Sequence, residues 1–333
     1  MSRSGPRELF LVWGPPSHGP RSRVFARTLG IPIEFVFSTR RRGAWVAPLK
    51  YAYQLFATLL ILWRRRPDMV FVQSPPSLAP LIVAVYCRIS GASFVVDAHS
   101  DAMLSPRWTR PRFLYRWMSR AAAATIVTNH SFAEAIERDG GTALVVRDIP
   151  TSFQLGDPPQ VPGGSNIMVV SSFAADEPLA AIKEAARMVP DVHFHMTGSP
   201  DRADPSMLED LPPNLALTGF LADEDYYALM NTCDAVMCLT TRDNTMQRGA
   251  CEALSLGRPI ITSDWPLLRD YFHLGTVHVA PTAQDIATGV ERILGKHDHY
   301  TQEIRLLGEH QEAEWVEARE RLDNLRPGSR RES

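Results

Sequence analysis

Cysteine is scarce: Cys87, Cys233, Cys238 and Cys251 are the only four in 333 residues, and their spacing fits neither a zinc-ligand pattern nor a disulfide-rich secreted framework. Free, buried thiols are what that leaves. Long hydrophobic runs are missing as well. Leu55–Trp63 is short and Pro76–Cys87 stops at Arg88, both well below the ~20 apolar residues that span a bilayer. No transmembrane helix is therefore expected, and any membrane contact should be peripheral. The start, Met1-Ser-Arg-Ser-Gly-Pro-Arg7, lacks the apolar core of a secretory signal, which predicts a cytoplasmic protein, at most peripheral on the inner membrane face. No repeat of roughly 20–50 residues argues for a solenoid, and no Gly-x-Gly-x-x-Gly fingerprint is present. The scattered histidines lack paired ligand spacing, so no metal is expected.

What the chain does have is size and patterning. At 333 residues it exceeds what one core organises, and a prior of about 100–200 residues per domain favours two. Apolar residues make up 45% and charged ones 22%, enough for two packed cores and unlike a disordered chain. The net charge of −2 conceals a split: residues 1–150 carry 20 basic and 9 acidic side chains, the remainder 15 and 28. Such a basic half is either a solvated face or a surface for an anionic partner. Arg40-Arg41-Arg42 and Arg64-Arg65-Arg66 flank the apolar stretch Tyr51–Trp63, which points to anionic lipid headgroups and not to nucleic acid.

Short β-branched or apolar runs alternate with helix-length periodic segments, the pattern of an α/β protein whose parallel sheets are covered on both faces. In the first half, strands are predicted at Glu8–Trp13, Ile33–Phe37, Met69–Gln73, Ser93–Asp97, Ala124–Thr128 and Ala143–Arg147, with helices near 22–29, 47–63, 78–90, 109–121 and 131–138. In the second, strands are predicted at Asn166–Ser171, Val192–Thr197, Leu215–Thr218, Ala235–Leu239, Pro259–Thr262 and Thr276–Val279, with helices near 178–188, 205–209, 223–231, 246–256, 266–271 and 283–295. The Pro- and Gly-rich stretch Thr151–Ser165 reads as a linker. The expected domains are 1–150 and 166–301, with a charged helix and tail over 302–333.

The segment Leu239-Thr-Thr-Arg-Asp-Asn-Thr-Met-Gln-Arg-Gly-Ala-Cys-Glu252 leads from a buried strand through a polar loop into a helix predicted to begin near Thr245 and close at Gly257. Orphan amides and the positive dipole end at such a start suit a phosphate, and Arg242 and Arg248 add charge. Glu252, two turns in, leans back toward the loop because helical side chains tilt N-terminally. A carboxylate there accepts from vicinal ribose hydroxyls. After the first strand, Gly14 and Gly19 permit close approach of a ligand or simply make a turn. Asp97, His99 and Asp101 follow the fourth strand, at the sheet edge where doubly wound folds bind ligands. Each is able to take a proton, and Asp97 and His99 equally suit loop capping.

The 239–264 segment resembles the donor-site signature of GT-B glycosyltransferases of the large retaining family 4 type: an acid, seven residues, Glu, then Ala, a small-residue turn, Gly and Pro. Glu252 falls on the ribose-binding Glu and Asn244 on the first acid, with Asp243 beside it. Ile167–Phe173, Phe194–Gly198, Leu217–Phe220 and Tyr226–Val236 follow the same family's order. The resemblance implies a GT-B fold of two Rossmann-like doubly wound parallel-sheet domains facing a central cleft, and a nucleotide-diphosphate sugar as substrate without a cofactor. It implies donor contacts from Gly14, Ser171, Ser172, Gly198, Asp243, Asn244, Thr245, Met246, Arg248 and Glu252. The Arg and Lys that the family offers to the pyrophosphate have no counterpart in Ser171-Ser-Phe-Ala-Ala-Asp-Glu177, so that charge falls to helix amides, the two serine hydroxyls or Arg248. This stretch, with Gln73-Ser-Pro-Pro-Ser77, Val95-Val-Asp-Ala-His99 and Val146-Arg-Asp-Ile-Pro150, is similar to the lipid-linked chitobiose β-mannosyltransferases, an inverting GT-B group. That similarity implies acceptor binding by the first domain, catalytic contacts from Asp97, His99 and Asp101, and a lipid-linked or polysaccharide-precursor acceptor. A GT-B nucleotide-sugar epimerase and a non-catalytic GT-B scaffold stay open as alternatives.

Overall fold

The computed structural model describes residues 7–16, 20–39 and 45–326. Gly19, the Arg40-Arg41-Arg42 cluster, the N-terminal residues 1–6 and the tail 327–333 lie outside the described residues. Two compact units are present, the first comprising residues up to Ile149 together with those from Glu314 on, the second Pro150–Ala313.

The first unit runs β1 (Glu8–Val12), α1 (Pro20–Leu29), β2 (Ile33–Phe35), α2 (Val46–Arg65), β3 (Met69–Ser74), α3 (Leu78–Ser90), β4 (Ser93–Ala98), α4 (Ser100–Leu104), α5 (Pro106–Thr109), α6 (Arg112–Ala121), β5 (Ala124–Val127), α7 (His130–Arg138) and β6 (Ala143–Val145). Its sheet has the order β2-β1-β3-β4-β5-β6 with every pair parallel. Strand side chains alternate between faces, and both faces are dry. Leu9, Leu11, Val70 and Val72 meet Leu62 and Val83 on one side, while Phe10, Phe71 and Val95 meet Phe25 and Trp315 on the other. Each such large side chain contributes about 1.5–3 kcal/mol relative to exposure.

The second unit runs β7 (Ser165–Val169), α8 (Leu179–Met188), β8 (Val192–Thr197), α9 (Pro205–Leu208), β9 (Leu215–Gly219), α10 (Asp223–Thr232), β10 (Ala235–Cys238), α11 (Arg248–Ser255), β11 (Ile260–Ser263), α12 (Pro266–Tyr271), β12 (Thr276–Val279), α13 (Ala283–Gly295) and the start of α14 (His297–Leu325). Its all-parallel sheet has the order β12-β11-β10-β7-β8-β9, the dinucleotide-fold arrangement in which the first and fourth strands of the unit lie side by side. Phe194, Met237 and Ile261 fill one face; Met168, Val236 and Phe272 fill the other.

Each strand predicted from the sequence is found, with ends shifted by at most two residues. Several other expectations change. The tail helix begins at His297, not Gln302, and is divided between the units at Ala313/Glu314. Its last turns belong to the first unit because Trp315, Ala318 and Leu322 are buried there, Trp315 lying edge-on to Phe25 at 5.8 Å. Residues 151–164 lack regular structure, but Ser165 already opens β7. The stretch is anchored to the second unit: Phe153 stacks on Tyr227 at 3.9 Å and the Gly156 N–H donates to the Glu224 carbonyl at 3.0 Å. The helix expected near 109–121 is α6, starting at Arg112, and two short helices that were not expected, α4 and α5, precede it; Ser105 and Arg110 are extended before Pro106 and Pro111 and separate the three. The apolar run at Leu55–Trp63 is part of a continuous 20-residue helix, α2, long and apolar enough to cross a membrane by length and composition, with only 17% of its apolar window buried. The four cysteines are buried and none is in a disulfide, and burial pushes the Cys87 and Cys233 thiols up to about 12.

Trp315→Ala should cost the first unit about 3–5 kcal/mol, read as a lower denaturant midpoint for that unit. An unchanged midpoint would mean that the end of α14 adds no stability.

Candidate functional site

In the second unit the strand order reverses between β7 and β10, and the loops at the carboxyl ends of such a pair are where doubly wound folds bind ligands. Both predicted donor loops lie there. Gly249 lets α11 press against the strand ends, since a Cβ would come within 2.7 Å of Val170 Cγ1 and 2.8 Å of Cys238 Sγ. Glu252, one turn further, is 8% exposed. Its Oε2 accepts from the Tyr226 hydroxyl at 3.0 Å and its Oε1 from Arg248 Nε at 2.9 Å. Burial, reinforced by the Glu252 charge, raises the Tyr226 phenol well above its ordinary value, so it stays protonated and keeps donating.

The helix starts at Arg248, later than expected, because Asn244 has the left-handed φ of +55°. Asp243 Oδ1 accepts from the Asn244 N–H at 2.6 Å and the Thr245 hydroxyl turns to the Asp243 carbonyl at 3.3 Å. Asn244, Thr245 and Met246 thus form the loop before the helix, with Met246 packed against the core. Ser171 and Ser172 differ from expectation more sharply: their hydroxyls donate to Glu177 at 2.6 and 2.8 Å, and the Ser172 N–H donates to it at 3.0 Å. The donors expected to meet a pyrophosphate hold a carboxylate of the chain itself. Asp176 ties the same loop to the other, accepting from the Thr240 hydroxyl at 2.9 Å and, through its carbonyl, from the Thr241 N–H at 2.7 Å. Gly198, at φ +108°, sits where a Cβ would strike the Ser171 carbonyl oxygen.

In the first unit, Asp97 and His99 end β4 as expected, and Asp101 separates from them. Asp97 is 1% exposed, with Oδ2 3.1 Å from His99 Nε2 and 3.2 Å from Ser22 Oγ. Arg21, whose guanidinium donates to the Val146 and Arg147 carbonyls at 2.6 and 2.8 Å, places Nε 3.7 Å from Asp97 Oδ1. Burial, the largest single influence, pushes the Asp97 carboxyl up, but His99, Arg21 and the Ser22 hydroxyl together hold it below the usual carboxylate range. An ionised Asp97 only accepts, so His99 carries its hydrogen on Nε2 and leaves the Nδ1 lone pair to take a proton. Asp101 is exposed and accepts from the Trp108 indole at 2.9 Å, which makes it an anchor for that ring. Gly14 is buried directly after β1. Sequence reasoning missed Arg21, Ser22, Glu177, Tyr226 and Gly249. Among the described residues no group of three His, Cys, Asp or Glu side chains gathers to hold a metal.

Two doubly wound units, each with polar loops at the strand carboxyl ends, define a GT-B-type protein. Residues 8–151 match the glycosyl transferase 4-like domain and residues 165–296 the domain of glycosyl transferases group 1; the chain belongs to the GT-B glycosyltransferases built from this pair. No curated protein is matched in sequence. Solved structures are matched along nearly their whole length. HepE from Anabaena in complex with UDP has a TM-score of 0.71 at 14% identity, covering 96% of this chain and 99% of that one. Sucrose-phosphate synthase from Thermosynechococcus elongatus has 0.71 at 13%, covering 96% and 98%. The glycosyltransferase SnogD from Streptomyces nogalater has 0.60 at 18%, covering 97% and 100%.

A depressed carboxyl pKa gives stabilisation that is complete above the unfolded value of about 3.9 and is lost as pH falls through the lower folded value. Asp97→Asn should therefore lose about 1–3 kcal/mol at neutral pH, with variant and wild type converging below about pH 4. Denaturation across that range reads it, and a pH-independent difference would contradict an ionised Asp97.

Proposed function

We propose that the protein transfers a hexose-type sugar from a nucleotide diphosphate to a lipid-linked acceptor at an anionic membrane surface, without a metal. The observation that carries this reading is Glu252, a nearly buried carboxylate held by Tyr226 and Arg248 beside the start of α11. A ribose diol exchanged for one of those donors keeps the carboxylate satisfied. The α11 amides and Arg248 face the charge that builds on the departing diphosphate, the work a cation would otherwise do. His99 Nδ1, with Asp97 behind it, takes the proton of the attacking hydroxyl. Solved relatives of the same fold include HepE with UDP-glucose and with UDP and glucose, which makes uridine diphosphate the first nucleotide to test.

The membrane part rests on α2, whose amphipathic order is reversed. Its buried residues are Gln54, Thr58 and Leu62, whereas Leu49, Tyr53, Phe56, Leu60 and Trp63, at alternating four- and three-residue spacing, are exposed. Gln54 donates inward to the Val36 carbonyl at 3.1 Å and Thr58 accepts from the Trp13 indole at 2.8 Å. A helix fastened along the mixed face of Gln54, Thr58 and Leu62, with Tyr51, Ala57 and Ile61 packed beside them, lies on a bilayer with the exposed apolar stripe immersed, and Lys50 and Arg64 lie among basic residues that attract anionic headgroups. One observation favours a second reading: Glu177 fills the Ser171/Ser172 donors, as in a scaffold subunit that binds no diphosphate.

A thermal-shift series with UDP, GDP, TDP and CMP separates these. One nucleoside diphosphate should raise the melting temperature, by about 2.7 kcal/mol of stabilisation at a hundredfold excess over Kd, and turnover should persist in chelator. Glu252→Gln keeps an acceptor for Tyr226 and should weaken that nucleotide by about tenfold or more. No response to any nucleotide would leave the scaffold reading.

Co-sedimentation with phosphatidylglycerol vesicles should be salt-sensitive and should fall at least about tenfold in Phe56→Glu/Trp63→Glu. Equal binding to neutral vesicles, or by the double variant, removes the membrane part.

A further inference from the structure

The first unit contains a cavity of about 250 Å³ among α2, α3, α5 and α6. Its interior is apolar, formed by Tyr51, Leu81, Leu114 and Met118, and Arg107 and Arg110 stand in its lining. The volume lies just under the ~300–1,000 Å³ of pockets that enclose a whole small molecule, which suits a segment of a chain better than a compact ligand. The two guanidiniums are conspicuous beside their neighbours. Arg112 and Arg116 on α6 are spent on Asp139, at 3.3 and 2.8 Å. Arg107 and Arg110 form no salt bridge among the described residues, and the Arg107 guanidinium carbon is 4.7 Å from the centre of the Trp108 ring. An apolar hole lined by two uncompensated cations calls for a ligand that is apolar along its length and anionic at one end.

We propose that this cavity receives the first segment of a polyprenyl or comparable hydrocarbon chain, with the phosphate that joins it to the acceptor on Arg107 and Arg110. The proposal deepens the lipid-linked reading above and rests on it. Trp108, which also lines the cavity, is set by two polar anchors. Its indole donates to Asp101 at 2.9 Å, and the Ser77 hydroxyl donates to its carbonyl. Asp101 lies in the first turn of α4, directly after His99. The same short stretch of chain thus carries the proton acceptor, the ring clamp and the phosphate-binding arginines. Asp101 acts as a positioning residue for the cavity wall. Phe113 and Trp117, exposed beside the lining residues of α6, offer apolar contact to a chain leaving the cavity.

Calorimetric titration of the full chain with farnesyl phosphate, below its aggregation concentration, tests this. Binding is expected, with farnesol and inorganic phosphate each at least about tenfold weaker because each satisfies only one half of the site. Arg107→Gln/Arg110→Gln, two exposed positions, should lose at least about tenfold in affinity, and Leu114→Trp, which fills the cavity, should lose it without the arginines being touched. Both variants should keep the nucleotide-dependent thermal shift, which confirms that they are folded and separates this site from the donor site. Farnesyl phosphate binding undiminished in the arginine variant, or equal binding of farnesol or inorganic phosphate, overturns the proposal. If no nucleotide binds while farnesyl phosphate does, the transferase reading fails and the cavity stands; if the nucleotide binds and farnesyl phosphate does not, the cavity fails alone.

Discussion

Parallel pairing is the constraint from which both candidate sites follow. When every strand points one way, all carboxyl ends share one edge, and the loops that leave that edge are brought side by side there. The reversal of strand order then marks the pair of loops where such folds bind ligands. In the second unit it falls between β7 and β10, whose outgoing loops carry Glu177 and lead to Glu252 and are joined through Asp176. In the first unit β1 and β3 are neighbours, and the residues around Asp97 come from α1 after β1, from the end of β3 and from the end of β4. Ser22 Oγ is 3.0 Å from Gln73 Oε1 and 3.2 Å from Asp97 Oδ2, one contact across each of those junctions. The candidate site residues therefore stand directly on packed cores, with Phe10, Phe71 and Phe194 at 0% exposure.

Two carboxylates in the second unit show how local charge partitions the work. Glu177 takes three donors from Ser171 and Ser172, the same amide and hydroxyl types that form phosphate nests. In a loop without Arg or Lys, an incoming diphosphate would meet that negative charge. Glu252, by contrast, is balanced by Arg248 and by a phenol that remains neutral. On the proposed reading the diphosphate belongs at α11, where amides and Arg248 are on the favourable side of the dipole, and the 171–177 loop supplies shape. Asp176, bonded to Thr240 and Thr241, keeps that shape in register with the donor loop.

The strands were legible because apolar runs buried on both faces leave a period-free signal bounded by turns. The sites were legible where chemistry is contiguous in sequence, as in Asp97-x-His99 or Arg248-x-x-x-Glu252, where helical spacing alone brings the two together. What escaped was tertiary. Tyr226 precedes Glu252 by 26 residues and Arg21 precedes Asp97 by 76, and nothing local joins them. The start of α11 was misplaced because propensity cannot foresee the left-handed turn at Asn244. The tail is a different case: Trp315, Ala318 and Leu322 recur at helical spacing, so its buried stripe was readable, but the surrounding charge made the segment look solvated.

The reversed face of α2 bears most directly on where the protein works. Packing alone would favour the opposite arrangement, because each large apolar side chain moved from water to a core gains about 1.5–3 kcal/mol, and polar residues turned inward must find partners or lose a comparable amount. Here the Gln54 amide nitrogen and the Thr58 hydroxyl find partners, in Val36 and Trp13, while Gln54 Oε1 is buried without one, so the inward face is held by specific bonds but not fully satisfied. The outward stripe from Leu49 to Trp63 is then the uncompensated side, and it recovers its free energy only where the surroundings are apolar. A helix crossing a bilayer would strip Gln54 and Thr58 of those partners; one lying along the surface keeps them and immerses the stripe. On the proposed reading the cavity lined by Tyr51 extends the same logic inward: it would give the hydrocarbon part of an acceptor an apolar course beside α2, with Arg107 and Arg110 left to the phosphate.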